Sequence, residues 1–484
     1  MNWIITENNK PVNLNEIPCL NINDLRKEIL EIKKRVVGFF GQKFGSGVKL
    51  FVVMADDECG KLYVSSSHFS ENEKSYESIT KDIPSFHMFE REFYEEFGIE
   101  PLGHPWLKPV RDHKKEYPFF EIKGEEIHQV GVGPIHAGVI EPGHFRFMCN
   151  GEKVYDLEIR LGYQNRGVED LLLQNPTNQL AESVCGDSVI AYNLAYSRAM
   201  EALLGIEISN RAQLIRLIAL EMERAAIHIG DLGAIAGDTA YQMGAAIFGA
   251  TRTLVINSML EICGSRFGRG LIKTGGVNFD IDEELAQKIL KTLEKVGADV
   301  KRTTTTMFKS PSVISRLEKT GVVSFDNAKA LGLVGMAGRA SGVELDSRFD
   351  FPDKWFMDKD DKKFNATGDV YSRTRLRYKE IMQSLSLIRK FMKTLPEYKN
   401  EPLCSFANNG LSGEKFVVSI VEGWRGEVVH CAMTNSFGKL SRYKIKDPSF
   451  NNWYGLAMAV RNNGISDFPL CNKSFNLSYC GNDL

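Results

Sequence analysis

The stretch SNRAQLIRLIALEMERAAIHIGDLGAIAG, residues 209–237, decides how this chain is read. Ser209 and Asn210 give a helix-start signal, because a short polar side chain accepts a backbone N–H that the first turn leaves open. Behind them Leu214, Leu217, Ile218, Ala225, Ile229 and Leu232 recur at helical spacing along one stripe. Glu221 and His228 fall on that same apolar stripe, where an unpaired charge is costly to bury. Arg224, three residues beyond Glu221, is placed to pair with it across one turn. Two readings of these polar residues stand side by side: an ion pair stitching a helical core, or a track of carboxylate and imidazole groups that carries protons.

Working outward, RTRLRYKEIMQSLSLIRKFMKTLP (373–396) predicts a second long helix. Tyr378, Ile381, Leu385, Ile388, Met392 and Leu395 lie on one side, and the helix stops before Pro396. KFVVSIVEGWRGEVVHCAM (415–433) reads as strands, and a tail punctuated by Gly and Asn follows. The front of the chain is smaller and mixed. NDLRKEILEIKKRVVGFF (23–40) carries Leu25, Ile29, Ile32 and Val36 on one helical stripe, and VKLFVVMADDECGKLYVSSS (48–67) reads as two strands around an acidic turn. PSFHMFEREFYEEFG (84–98) is an acidic, aromatic-rich helix that Gly98 can stop. DHKKEYPFFEIKGEEIHQ (112–129) is charged and poor in apolar runs, and reads as a linker. The expected class is α+β: a small α/β domain over residues 1–122, then a large, mainly helical domain with small β elements over 123–484.

At 484 residues the chain exceeds one core's usual span of about 100–200 residues. A formal net charge of −2 gives no basic field for DNA or RNA. The start, MNWIITENNKPVNLNEI, lacks a basic segment followed by an apolar run, so no secretory signal is read there. No apolar run is read as approaching the roughly 18 residues that span a bilayer. Nine scattered cysteines without a Cys-x-x-Cys pair suit a reducing cytoplasm.

Simple catalytic signatures are missing: there is neither a Walker-type phosphate loop nor a His-Glu-x-x-His zinc motif. GVGPIH begins like a dinucleotide fingerprint, but His136 takes the third glycine position. GPIHAGVIEPGHFRF (133–147) gathers His136, Glu141, His144 and Arg146 in a Gly/Pro-rich, hairpin-like segment. It reads equally as a cavity-facing loop and as a plain surface turn.

Taken in order, eight segments resemble two fused subunits: PSFHMFEREFYEEFGIEPLGHPWLKP, GPIHAGVIEPGHFRF, RLGYQNRGVEDLL, SVCGDSVIAY, RAQLIRLIALEMERAAIHIGDLG, GMAGRASGVELDSR, EGWRGEVVH and DFPLCNKSFNLSYCGNDL. The front resembles the 30-kilodalton-type subunit of respiratory complex I. The rest resembles the 49-kilodalton-type subunit and the large subunits of group 4 energy-converting nickel–iron hydrogenases. In that superfamily, working hydrogenases hold nickel and iron with an early and a late Cys-x-x-Cys pair, thiolates being the soft ligands such a centre takes. The resemblance puts Cys185 and Ser188 at the early ligand positions and Ser478 and Gly481 at the late ones. Cys480 stands one residue out of register, an offset expected to aim it elsewhere. A normal nickel–iron centre is therefore not expected to assemble, and the ligand set reads as vestigial.

The resemblance also places Gly186 where a quinone-site tyrosine stands in complex I, and His144 two residues out of step with the accompanying histidine. Glu169 matches a proton-passing glutamate, although Asn165 replaces the histidine common before it. Arg425 matches an arginine overlooking the hydrogenase metal cavity, and Arg339, Asp346 and Arg348 lie in a related segment. Candidate cavity and proton-path residues are thus Glu169, Arg425, His136 and His144, with no cofactor assigned to this chain. The resemblance implies an iron–sulfur small subunit and integral membrane, ion-translocating subunits as partners, a quinone or another small acceptor, and a peripheral place on the cytoplasmic side of the membrane. Two alternatives stay open: a hydrogenase large subunit with atypical ligands, and a non-catalytic structural subunit.

Overall fold

The helix expected from residue 23 begins where Asn21 accepts the Asn23 backbone N–H (2.9 Å) and runs as α1 over Ile22–Ile32, burying Leu25 and Ile29. It stops earlier than the stripe predicts. Lys33 turns left-handed, and Val36, expected on the helix, lies instead in a strand, Arg35–Phe44. The run Val36-Val37-Gly38-Phe39-Phe40 explains the switch, since β-branched and aromatic side chains fit a pleated surface better than a helix. The computed structural model describes residues 2–136, 140–356, 364–407 and 410–484.

The front strands are β1 (Ile4–Glu7), β2 (Val12–Asn13), β3 (Cys19–Leu20), β4 (Arg35–Phe44), β5 (Gly47–Asp56) and β6 (Lys61–Phe69). They form a sheet in the order β1-β6-β5-β4, with β3 parallel to β6, while β2 leaves to join a sheet of the second part. A small parallel pair, β7 (Ser75–Glu77) with β8 (Glu100–Leu102), brackets α2 (His87–Phe97). Phe86 and Phe93 meet Phe39 edge-on at 5.7 and 5.6 Å. Gly98 ends α2 with φ 69°, a left-handed cap that glycine adopts without steric cost. Of the aromatics on this helix, Phe89 and Phe93 are buried, Phe97 is half-buried and Tyr94 faces outward.

The second part opens with a meander, β9 (Ile127–Val132), β10 (His144–Asn150) and β11 (Lys153–Arg160). Helices α3 (Val168–Gln174), α4 (Asn178–Ser183), α5 (Val189–Leu204) and α6 (Asn210–Asp238) follow. Ser209 caps α6 through the Ala212 N–H, as the opening stretch predicts. Next come α7 (Gln242–Cys263), the short pair β12 (Ile272–Lys273) and β13 (Gly276–Val277), and α8 (Glu283–Met307). The short α9 (Pro311–Leu317), α10 (Phe325–Ala330), α11 (Gly335–Ala340) and α12 (Ser347–Asp350) lead into α13 (Val370–Thr394), the second long helix expected. The tail is more ordered than its Gly and Asn content suggests. After β14 (Lys415–Glu422) and β15 (Glu427–Thr434) it supplies β16 (Leu440–Lys446), α14 (Pro448–Val460), α15 (Phe468–Phe475) and α16 (Tyr479–Asp483).

One contiguous core joins α5, α6, α7, α8 and α13 to the inner face of the β16-β15-β14 sheet. A second core is shared between front and back: Val37, Phe40, Phe51 and Val53 pack on Phe416, Val418, Ile420 and Val429. There β2 extends the back sheet by pairing with β14, and Asn8 exchanges two hydrogen bonds with the Ile420 backbone. One sequence expectation is corrected. By length and composition alone α7 is apolar enough to cross a membrane, although Phe248, Val255 and Met259 are buried in the core.

Candidate functional site

Four segments distant in sequence meet at Arg425: the turn between β14 and β15, the loop before α5, the stretch after α15 and the cap of α14. Glycines make the approach possible. Gly426 (φ 141°) lies against Gly335, and a Cβ on Gly335 would stand 2.1 Å from the Arg425 carbonyl oxygen. The Arg425 guanidinium donates to both carboxylate oxygens of Asp187 (2.6 and 2.8 Å), to the Asn476 carbonyl (2.6 Å) and toward Cys185 Sγ (3.4 Å). It also stacks 3.9 Å from the centre of the Trp424 ring, whose Nε1–H donates to the Asp187 carbonyl (2.9 Å). Such a fork-on-carboxylate pair fixes orientation as well as charge.

Cys185 is buried, with Asp187 Oδ1 3.1 Å and Ser478 Oγ 3.2 Å from its sulfur. Cys480, whose offset was expected to aim it elsewhere, turns toward the same point: its sulfur lies 3.6 Å from Ser478 Oγ, the hydroxyl that also touches the Cys185 sulfur. The influence of each thiol on the other is the main reason the Cys185 thiol is held well up and the Cys480 thiol held down, and burial adds to the rise at Cys185. Burial pushes Asp187 upward, but the Arg425 charge and hydrogen bonds overcome it and hold the carboxyl below the usual range. Ser478 also accepts the Gly481 N–H (2.8 Å), capping α16. Ser188 is buried beside Cys185, its N–H on the Cys185 carbonyl (3.2 Å).

These residues do not fit a four-thiolate nickel–iron centre. Two thiols and two hydroxyls are the side chains on offer, and a Cβ on Gly481 would stand 2.3 Å from Asp447 Oδ2. The Asp447 carboxylate, hydrogen-bonded by the Tyr192 hydroxyl and the Ser449 N–H, fills the space that a side chain at 481 would need. Among the described residues no group of three or more His, Cys, Asp or Glu is arranged to hold a metal ion.

The other candidates lie apart from Arg425. His136 Nε2 bonds the Gly143 carbonyl (2.8 Å) and His144 Nδ1 the Gly133 carbonyl (3.1 Å), so each ring closes its own loop. Ala137 to Val139 lie outside the described residues. Glu141 reaches the site, accepting the Cys480 N–H at 3.4 Å. Glu169 sits at the junction with the front part, 3.2 Å from Lys444 and accepting the Ile445 N–H (2.8 Å). Lys444 also pairs with Glu92 of α2 (2.6 Å), and burial pulls its ammonium down to about 8.

Behind Arg425 a buried ion network begins. Asn476 donates to Asp231 (2.7 Å), which pairs with Arg377 (2.8 Å), and His228 bonds Glu380 (2.9 Å) with Asp231 on its other side. Glu380 pairs with Arg339 (2.9 Å), Arg339 with Glu422 (2.7 Å), and Arg348 with Glu221 (3.1 Å) and Asp346 (2.7 Å). Arg224 stands 3.4 Å from Glu221, the partner its spacing predicted. Sequence reasoning missed Glu223, which accepts the Ile190 and Ala191 N–H groups (2.7 and 3.3 Å) and which burial pushes up to about 8. Its sole signal was its place beside Arg224 in the acidic turn of α6. Asp187, Asp447 and Asn476 were missed because no local pattern marks them.

Comparison with known proteins gives this arrangement its context. Models of the respiratory-chain NADH dehydrogenase 30 Kd and 49 Kd subunits match residues 42–118 and 238–409. The membrane-bound hydrogenase subunit alpha of Pyrococcus furiosus is 30% identical over 356 residues, 70% of this chain and 83% of that one. Hydrogenase-4 component G of Escherichia coli is 29% identical over 85% of this chain and 76% of its own length. An NADH-quinone oxidoreductase subunit of Carboxydothermus hydrogenoformans is 29% identical over 72% of this chain and 95% of its own length. Among solved structures, a chain of the membrane-bound sulfane sulfur reductase, an archaeal respiratory membrane complex, superposes with a TM-score of 0.67 at 21% identity. That match covers 74% of this chain and 99% of the other, a likeness of fold. The order of elements, the matched segments and these relatives agree: the chain belongs to the family of complex I 49-kilodalton-type and membrane-bound hydrogenase large subunits, with a 30-kilodalton-type segment fused in front of it.

Proposed function

We propose that this chain is a peripheral redox subunit on the cytoplasmic side of a membrane-bound, complex-I-like assembly. It couples electron transfer to ion translocation without a nickel–iron centre of its own. The observation that supports this reading is the continuity of the polar path: Cys185 and Asp187 meet Arg425, Arg425 meets Asn476, and Asn476 meets the ion network between α6 and α13. In a water-poor interior a charge change at one end of such a chain is felt along it, because the effective dielectric is far below that of water. Electrons arrive beside Arg425 from an iron–sulfur small subunit, and integral membrane subunits receive the resulting charge movement. The acceptor is a quinone or another small molecule held near Arg425. Residues 1–122 act as the docking scaffold, and Glu169 with Lys444 forms a proton-active junction between the two parts.

The test is Arg425→Ala and, separately, Glu169→Gln in the purified complex, with electron transfer and ion translocation measured together. Loss of coupled activity in complexes that still assemble supports the reading, and unchanged activity in both makes the chain a structural subunit. Because several relatives are named as hydrogenases, nickel and iron content by elemental mass spectrometry is the companion measurement. Stoichiometric nickel makes the chain a hydrogenase with atypical ligands, whereas iron without nickel agrees with the proposal.

A further inference from the structure

The coupling reading uses Cys185 only as a neighbour of Arg425 and leaves its approach to Cys480 unused. Cys185 and the Ser478 hydroxyl that touches both sulfurs are 293 residues apart in sequence, so the tertiary fold brings the pair together. The Ser478 hydroxyl stands 3.2 Å from the Cys185 sulfur and 3.6 Å from the Cys480 sulfur, so the two thiols converge on one point. Their surroundings are unequal: Cys185 is fully buried under Arg425 and Asp187, while Cys480 keeps part of its surface open. An accessible thiol backed by a buried one is the arrangement a dithiol needs for exchange, with the outer sulfur attacking and the inner one resolving.

We propose that Cys185 and Cys480 are a redox-active dithiol that exchanges with low-molecular-weight disulfides and closes to an intramolecular disulfide. The Cys480 sulfur attacks one sulfur of a disulfide RSSR. The S–S bond breaks, a mixed disulfide forms on Cys480, and the first RS⁻ leaves with the Cys480 proton. Cys185 then attacks the Cys480 sulfur, expels the second RS⁻ and gives it the Cys185 proton. One RSSR is reduced to two RSH while two cysteines are oxidised to one cystine, so atoms and electrons balance. Arg425, 3.4 Å from the Cys185 sulfur, steadies the thiolate that forms there in the second step. Ser188, Ser478 and Gly481 at the resemblance's other ligand positions leave Cys185 as the one thiol in register, with Cys480 beside it rather than a metal set.

The experiment equilibrates the full-length chain in glutathione buffers of increasing oxidised fraction, quenches with acid and alkylating agent, and maps peptides by mass spectrometry. The exposed Cys19 and Cys59 serve as internal controls. The expected result is a Cys185–Cys480 cross-linked peptide, lighter by two hydrogens, that rises with the oxidised fraction and disappears with dithiothreitol. In Cys185→Ser, glutathione is expected to remain on Cys480. In Cys480→Ser, Cys185 is expected to stay reduced while Cys19 and Cys59 react as before. The proposal is overturned if the wild-type chain keeps Cys185 and Cys480 alkylated under conditions that glutathionylate Cys19 and Cys59. It is equally overturned if Cys480 takes up glutathione and no cross-link follows. Neither result depends on nickel content or ion translocation, so this test and that of the coupling reading fail independently.

Discussion

Glu223 shows how a single buried carboxyl leaves a mark on the whole protein. Its ordinary value is 4.5, and burial against the start of α5 raises it to about 8. Between those values the folded chain holds a proton that the unfolded chain has released, so stability falls as pH rises from about 4.5 to about 8 and then levels. At 1.36 kcal/mol per unit, the loss is on the order of several kcal/mol. Glu223→Gln, which cannot ionise, is expected to flatten that part of the stability curve in urea titrations at stepped pH. A slope unchanged from wild type would show that Glu223 is not the group responsible. Arg425 acts at the same scale with a smaller stability effect, since Asp187 keeps 38% of its side chain exposed and water screens the pair. Its substitution is therefore expected to show in coupled activity before it shows in folding.

At the scale of elements, α6 is held by charge as well as by its apolar stripe. Glu221 takes hydrogen bonds from Arg348 (3.1 Å) and Ser384 (2.6 Å) and faces Arg224, all out of water. Glu221→Ala leaves two arginines short of a buried partner, and the expected destabilisation is about 3–5 kcal/mol by chemical denaturation. A loss below about 1 kcal/mol would mean that water replaces the carboxylate, as it does at the surface. The same helix shows how far sequence reading reached. Its cap, its length and the Glu221–Arg224 pair follow from local spacing. Arg339, Arg348, Arg377 and Glu380, which complete the network, come from other elements and carry no shared local pattern. At α1 the local signal misled, because a helical stripe continued by chance into a β-branched run.

For the whole molecule, the front part and the β14-β15-β16 sheet share one core. Phe416 packs against both Phe40 and Phe51, with ring centres 6.5 and 6.2 Å away. Arg35 pairs with Glu427 (2.6 Å) and Arg442 with Glu96 (2.8 Å) across the same junction. With a common core and a shared strand pairing, front and back are expected to unfold in one cooperative transition by calorimetry. Phe416→Ala opens a cavity in that core and is expected to cost about 3–5 kcal/mol. Two resolved transitions in the wild-type chain would contradict the shared core.

The sequence by itself determined α6 and α13, the β5 and β6 strands of the front sheet, α2, the strands around Arg425 and the family, because caps, apolar periodicity and ordered motifs are local and additive. Only the tertiary structure decided that Cys480 turns toward Cys185, that Asp447 fills the space beside Gly481, and that Asn476 links Arg425 to the network on α6. The physical reason is the same in each case. Those contacts join segments far apart along the chain, and the direction of a side chain at a junction is set by packing against elements that no local spacing encodes.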